Sequence, residues 1–177
     1  MSQDRASPFA LIVMGVSGSG KTSVAESLAA KLGLDFVEGD VLHPAANVEK
    51  MSKGIPLTDE DRMPWLDIIG ETMKAKLDRG EGILVSCSAL KRSYRDRLRT
   101  AAGGKLIFVY LHGSKELLAA RMGARKGHFM PLSLLESQLA TLEVPTGEPG
   151  VVTVDIGDTI EGIVSAALHD LSALGVA

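Results

Sequence analysis

Eight consecutive residues near the amino terminus, Gly15-Val16-Ser17-Gly18-Ser19-Gly20-Lys21-Thr22, match the spacing G-x-x-x-x-G-K-[ST]. Glycines let the backbone curl until successive N–H groups aim at one point, an arrangement that holds phosphate oxygens. A helix starting at Lys21 adds the partial positive charge of its amino end. The Lys21 ammonium can then reach the β- and γ-phosphates of ATP, and the Thr22 hydroxyl is a hard oxygen ligand suited to Mg²⁺. An apolar run precedes the loop and a helix-period stretch follows it, which separates this reading from a chance glycine-rich turn.

In an α/β sheet, ligands bind outside the carboxyl ends of the strands, so the remaining chemistry is expected there. Asp40 follows the second apolar run and is the best placed acid to accept a proton from an acceptor hydroxyl or to partner the metal, with Asp155 as its rival. Ser86, Cys87 and Ser88 leave the third run without a terminal acid. No Asn-Lys-x-Asp guanine reader occurs, and the D-x-x-G at Asp67–Gly70 lies within the helical spacing of Trp65, Ile68, Ile69, Thr72 and Met73, which reads as a core helix. These features favour a kinase over a GTPase switch.

Cations are concentrated in two places, Lys91, Arg92, Arg95, Arg97 and Arg99 after the third run and Arg121, Arg125, Lys126 and His128 further on. Arginine forks suit carboxylate and phosphate, and Arg121 and Arg125 share a helix face at i, i+4 from which both could meet one nucleotide. Arg97 and Arg99 read as a solvated face. His43 and His128 stand in polar loops, where a surface position and a substrate hydrogen bond are equally good readings. Pro64 suits a first helical position and would leave Arg62 at an anion-friendly helix start, able to hold a substrate carboxylate. Trp65 reads as packing between helix and sheet, and Cys87 as a small buried side chain and not a nucleophile.

The elements that must position these residues alternate along the chain. Strands are expected over 9–14, 34–38, 82–87, 105–111 and 151–156, and helices over 21–32, 64–79, 93–101, 114–125, 132–142 and 159–174, with irregular loops at 40–61 and 126–131. Gly33 and Gly80 fit helix C-caps, and Ser114 and Asp158 fit N-caps. The expected fold is a three-layer α/β domain with a five-stranded parallel sheet flanked by helices. With 177 residues, 45% hydrophobic and 23% charged, one domain over 1–177 is expected, with a loose leader at 1–8. Nineteen Lys and Arg against 22 Asp and Glu give a net charge of -3, which excludes a dedicated nucleic-acid binder. The single cysteine excludes an internal disulfide and a cysteine-based zinc site and points to the cytoplasm, and the run at 9–14 is too short to span a membrane.

Longer strings carry a resemblance: Glu38-Gly39-Asp40-Val41-Leu42-His43-Pro44, Lys50 through Leu66, Ser86-Cys87-Ser88-Ala89-Leu90-Lys91-Arg92-Ser93-Tyr94-Arg95, His128-Phe129-Met130-Pro131, Ser137-Gln138 and Thr141-Leu142-Glu143. Together with the phosphate loop, and over about residues 10 to 145, the chain resembles the small P-loop gluconate kinases. The resemblance implies transfer of phosphate from ATP to the 6-hydroxyl of D-gluconate, giving 6-phosphogluconate for carbohydrate metabolism. It also implies a P-loop kinase fold similar to the nucleoside monophosphate kinases and shikimate kinase, with a mobile lid at about 122–140, and a homodimer. Asp40 would be the base or hydroxyl anchor and Arg62 and Lys91 would face the sugar acid. Arg121 and Arg125 would close over ATP, with Lys21 and Arg125 at the transferring phosphate. The alternatives are a kinase of the same fold for another hydroxy acid such as shikimate, and an ATP-binding sensor without turnover.

Overall fold

Period-two alternation of apolar side chains builds the sheet from its middle outward. In β1 (Ala10–Met14) every residue is buried, with Leu11 and Val13 in one hydrophobic layer and Ala10, Ile12 and Met14 in the other, as a central parallel strand requires. The computed structural model describes residues 8–123 and 132–175. After β1 come α1 (Lys21–Leu32), β2 (Asp35–Glu38), a 3₁₀ turn (Gly39–Leu42), α2 (Ala45–Ser52), α3 (Asp59–Asp78), β3 (Ile83–Ser86), α4 (Arg92–Ala101), β4 (Leu106–His112), α5 (Lys115–Gly123), α6 (Leu132–Thr141), β5 (Val151–Asp155) and α7 (Ile160–Ala173).

All strand pairs are parallel and their order is β2-β3-β1-β4-β5. Ile12 stands opposite Val85 on one side and Phe108 on the other. One face of the sheet packs on α1 and α7 through Val24, Leu28, Ile163, Val164 and Leu171. The other packs on α3 and α4 through Trp65, Ile69, Met73, Tyr94 and Leu98. This is the expected three-layer α/β arrangement, and α1 runs between the expected residues. Among the described residues no helix is long and apolar enough to cross a membrane.

The segment expected to be irregular, 40–61, contains the 3₁₀ turn and α2. Helix α3 starts at Asp59, not at Pro64. A capping box explains this: Asp61 N–H donates to Thr58 Oγ1 at 3.1 Å and Thr58 N–H donates to the Asp61 carboxylate at 2.9 Å. These reciprocal bonds outweigh the one intrahelical bond that Pro64 cannot make. Arg62 therefore lies in the first turn of α3 by another route than the one its proline suggested. At α7 the cap is Thr159, one residue beyond Asp158, whose carboxylate instead accepts from Thr159 N–H. Ser114 does cap α5, accepting from Leu117 N–H.

Arg95 and Arg99 also depart from expectation. Arg95 is fully buried, donating to the carbonyls of Ala89, Leu90 and Glu143 and, twice, to Glu148. Arg99 is largely covered, lying 4.9 Å from the Phe108 ring centre and also paired to Glu148. Both hold the fold, whereas Arg97 forms an exposed pair with Asp67. Arg95→Met would leave the Ala89 and Glu143 carbonyls without their donor and the Glu148 carboxylate with Arg99 alone, so stability should fall by about 3 kcal/mol, read as a lower urea midpoint at unchanged slope.

Candidate active site

The phosphate loop leaves β1 at Gly15, whose φ of 153° suits glycine, and a Cβ there would lie 2.9 Å from Ser19 Oγ and 3.1 Å from the Leu111 carbonyl. Gly20, at φ 84°, turns the chain into α1, which has no side-chain cap. The first N–H groups of α1 are thus left to the loop. Lys21 Nζ folds over the loop and donates to the Val16 carbonyl at 3.1 Å. Ser19 N–H closes the turn onto the same carbonyl at 3.3 Å. Ser17 N–H points elsewhere, donating to Gln138 Oε1 of α6 at 2.6 Å.

Thr22 Oγ1 donates to the Glu38 carboxylate at 2.8 Å, and Ser86 Oγ donates to the same oxygen at 3.4 Å. Sequence reasoning sought this acid at Asp40 or Asp155, but the last residue of β2 is the one that meets the loop. Its signal was the Glu-Gly-Asp string, in which Gly39 permits a close approach: a Cβ there would be 2.2 Å from the Ser86 carbonyl. Thr22 and Glu38 form an all-oxygen pair that fits a small divalent ion sharing its shell with phosphates and water. Among the described residues no three His, Cys, Asp or Glu side chains could hold a metal without such help.

Asp40 is exposed on the 3₁₀ turn. Cys87, one residue past β3, lies within electrostatic reach of both Asp40 and Lys21. Burial pushes the Cys87 thiol up to about 12, against its use as a nucleophile. The turn is pinned by Trp65, whose indole N–H donates to the Gly39 carbonyl at 2.8 Å. His43 stacks on that indole at 4.1 Å and 13°, with its Nδ1 3.2 Å from Asn47 Nδ2. Trp65 is therefore helix packing, as expected, and the platform for His43 as well.

Arg62 and Lys91, far apart in sequence, meet around Tyr94, each 5.7 Å from its ring centre. Arg62 donates to the Tyr94 hydroxyl at 3.1 Å, and the hydroxyl donates to Asp59. Lys91 donates to both Asp59 oxygens at 2.9 and 3.0 Å. Hydrogen bonds from Tyr94 and then Lys91 hold the Asp59 carboxyl below its ordinary range, and Asp59 in turn raises Lys91. Asp59 and Tyr94 were missed in the sequence, although they stand three residues before Arg62 and three after Lys91. With two cations and one carboxylate, the cluster suits a single further carboxylate.

Arg121 donates to the carbonyls of Ile156 and Asp158, so it sits against the β5–α7 loop. Arg125, Lys126 and His128 lie outside the described residues, as does much of the expected lid. The residues described divide into a glycine loop with the geometry to hold phosphates and a cluster of two cations and one carboxylate with the chemistry to take a small acid, both carried by the connections of one parallel sheet. That division defines a P-loop kinase. A family model described as an AAA domain matches residues 11–145, and the gluconokinase of Gluconobacter oxydans is 54% identical over 83% of this chain and 82% of that protein. The chain belongs to the gluconokinase family. A crystal structure of a gluconokinase from Sinorhizobium meliloti 1021 matches with TM-score 0.88 and 56% identity over 96% of this chain and 95% of that one. Shikimate kinase from Aquifex aeolicus, at TM-score 0.60 and 13% identity over 94% and 98%, shares the fold.

Burial holds His43 below its ordinary 6.5, with Asp40 pulling it up and Arg62 pushing it down. An NMR titration of His43 should have its midpoint below 6.5; a midpoint at or above that value would contradict the geometry. Because the unfolded chain protonates first, the associated stability is complete above about pH 6.5 and is lost as pH falls through the folded midpoint.

Proposed function

We propose that the chain transfers the γ-phosphoryl group of ATP to the 6-hydroxyl of D-gluconate, releasing 6-phospho-D-gluconate and ADP. The observation that carries this reading is the meeting of Arg62 and Lys91 around Tyr94, because two cations balanced by the single Asp59 carboxylate match a sugar acid. Kinship with the gluconokinase of Gluconobacter oxydans supports the choice of acid.

Lys21 and the N–H groups of the loop and α1 hold the phosphates. Arg62 and Lys91 take the acceptor carboxylate, exchanging part of their pairing with Asp59 for it. Asp40 receives the proton of the 6-hydroxyl as that oxygen attacks, and His43, held neutral on Trp65, hydrogen-bonds a sugar hydroxyl. Thr22 and Glu38 would hold Mg²⁺, which would supply positive charge to neutralise the phosphates. Arg121 from α5, with Arg125 and His128 from the lid, closes over ATP and the acceptor. The resemblance that supports this reading extends it to a single-domain homodimer in the cytoplasm.

The decisive assay is ADP release from Mg-ATP with D-gluconate, shikimate and a mononucleotide as parallel acceptors. Release is expected with gluconate alone; release with shikimate alone would overturn the substrate. Lys21→Ala should abolish turnover in a folded protein, with circular dichroism as the control. Asp40→Asn should lower kcat by about 10² or more at similar KM, as removal of a general base does. Glu38→Gln should instead raise the Mg²⁺ concentration needed for half-maximal rate.

A further inference from the structure

One stretch of chain, from Gln138 to Glu143, touches both halves of the site. Gln138 Oε1 takes the Ser17 N–H of the phosphate loop at 2.6 Å. Glu143 clasps the backbone on either side of Lys91: its carboxylate accepts from Arg92 N–H at 2.7 Å, and its own N–H donates to the Leu90 carbonyl at 2.8 Å. The Arg92 contact caps α4, which has no cap of its own. Buried Arg95 fixes the other end of the clasp, donating to the carbonyls of Glu143, Leu90 and Ala89.

The stretch is stiff. Gln138 lies in α6, and Leu142 N–H still bonds the Gln138 carbonyl at 2.8 Å beyond the helix end. Anchorage of α6 does not need the Gln138 and Glu143 side chains, because Leu135 is fully buried and Leu139 and Leu142 pack on the core. Their polar contacts serve direction: one end meets the loop that carries the phosphoryl donor, the other the loop that carries Lys91.

We propose that Gln138 and Glu143 form one brace that sets the spacing between the phosphate loop and the Lys91 loop, and are therefore positioning residues for phosphoryl transfer. The proposal rests on the kinase reading above. Neither side chain needs to touch a reacting atom. In-line transfer requires donor and acceptor within a narrow range, and a shift of about 1 Å can cost 10² in rate while leaving each partner bound.

Gln138→Met keeps length and packing but removes the amide oxygen, Glu143→Ala removes the carboxylate arm of the clasp while its backbone arm to Leu90 stays, and Glu143→Gln keeps an acceptor for Arg92 N–H. Gln138→Met and Glu143→Ala are expected to lower kcat by about tenfold or more, with the Kd for ATP and KM for gluconate within about threefold of wild type. Glu143→Gln should restore most of the rate, and the double variant Gln138→Met/Glu143→Ala should be no slower than the worse single one, as for groups acting as a unit. Amide hydrogen exchange gives a readout independent of the acceptor: each single variant should speed exchange at both Ser17 and Arg92. Unchanged kcat in both single variants, or exchange that rises only at each variant's own amide, overturns the brace. A wild-type protein that binds ATP yet phosphorylates no gluconate counts against the substrate alone, and the exchange result then decides the brace.

Discussion

The carboxyl edge of a parallel sheet leaves loop carbonyls and amides that no further strand can pair, and buried ones must find partners. Here long side chains supply them from a distance. Trp65 takes the Gly39 carbonyl, Arg95 those of Ala89, Leu90 and Glu143, Arg121 those of Ile156 and Asp158, and Lys21 that of Val16, while Gln138 takes the Ser17 amide. The described loops that bear candidate site residues are tied down in this way. Ala89 shows the strength of the tie, since it is a buried non-glycine residue at φ 46°, a conformation that persists only where the surroundings impose it.

Charge is arranged with the same economy. The chain is net acidic, and several of its cations are each held in place by an acid. Lys91 has Asp59, and Arg95 and Arg99 have Glu148. Lys50 pairs with Asp61, whose pKa is drawn down to about 2 by that lysine and by Thr58. Asp61 thereby serves the α3 cap and the α2 lysine at once, coupling α2 to the helix that carries Arg62. Asn47 adds to the link by donating to the Asp61 carbonyl at 2.9 Å.

Much of this was legible in the sequence where information is local. The strand–loop–helix unit from Ala10 to Leu32 follows from apolar period, glycine spacing and the C-cap at Gly33. Arg62 and Lys91 were recognised as partners through a family pattern, and the fold brings them together. What stayed hidden depends on pairs distant in sequence: Thr22 with Glu38 across 16 residues, Lys91 with Asp59 across 32, and Ser17 with Gln138 across 121. Arg95 misled for another reason, since a buried arginine defies composition and is tolerated only because Glu148 and three carbonyls await it. Helix α2 is short and polar, with exposed Val48 and Met51, and offers no apolar stripe to read.

The placement of Trp65 has a practical consequence. It is the only tryptophan in the chain, and its indole both stacks on His43 and donates to the backbone beside Asp40. Excited beyond the absorption of the two tyrosines, the protein's fluorescence therefore originates beside the turn that carries Asp40. Rearrangement of that stack, or a change of charge on the imidazole, alters the environment of the one emitting indole, so the pocket carries an optical reporter without any label.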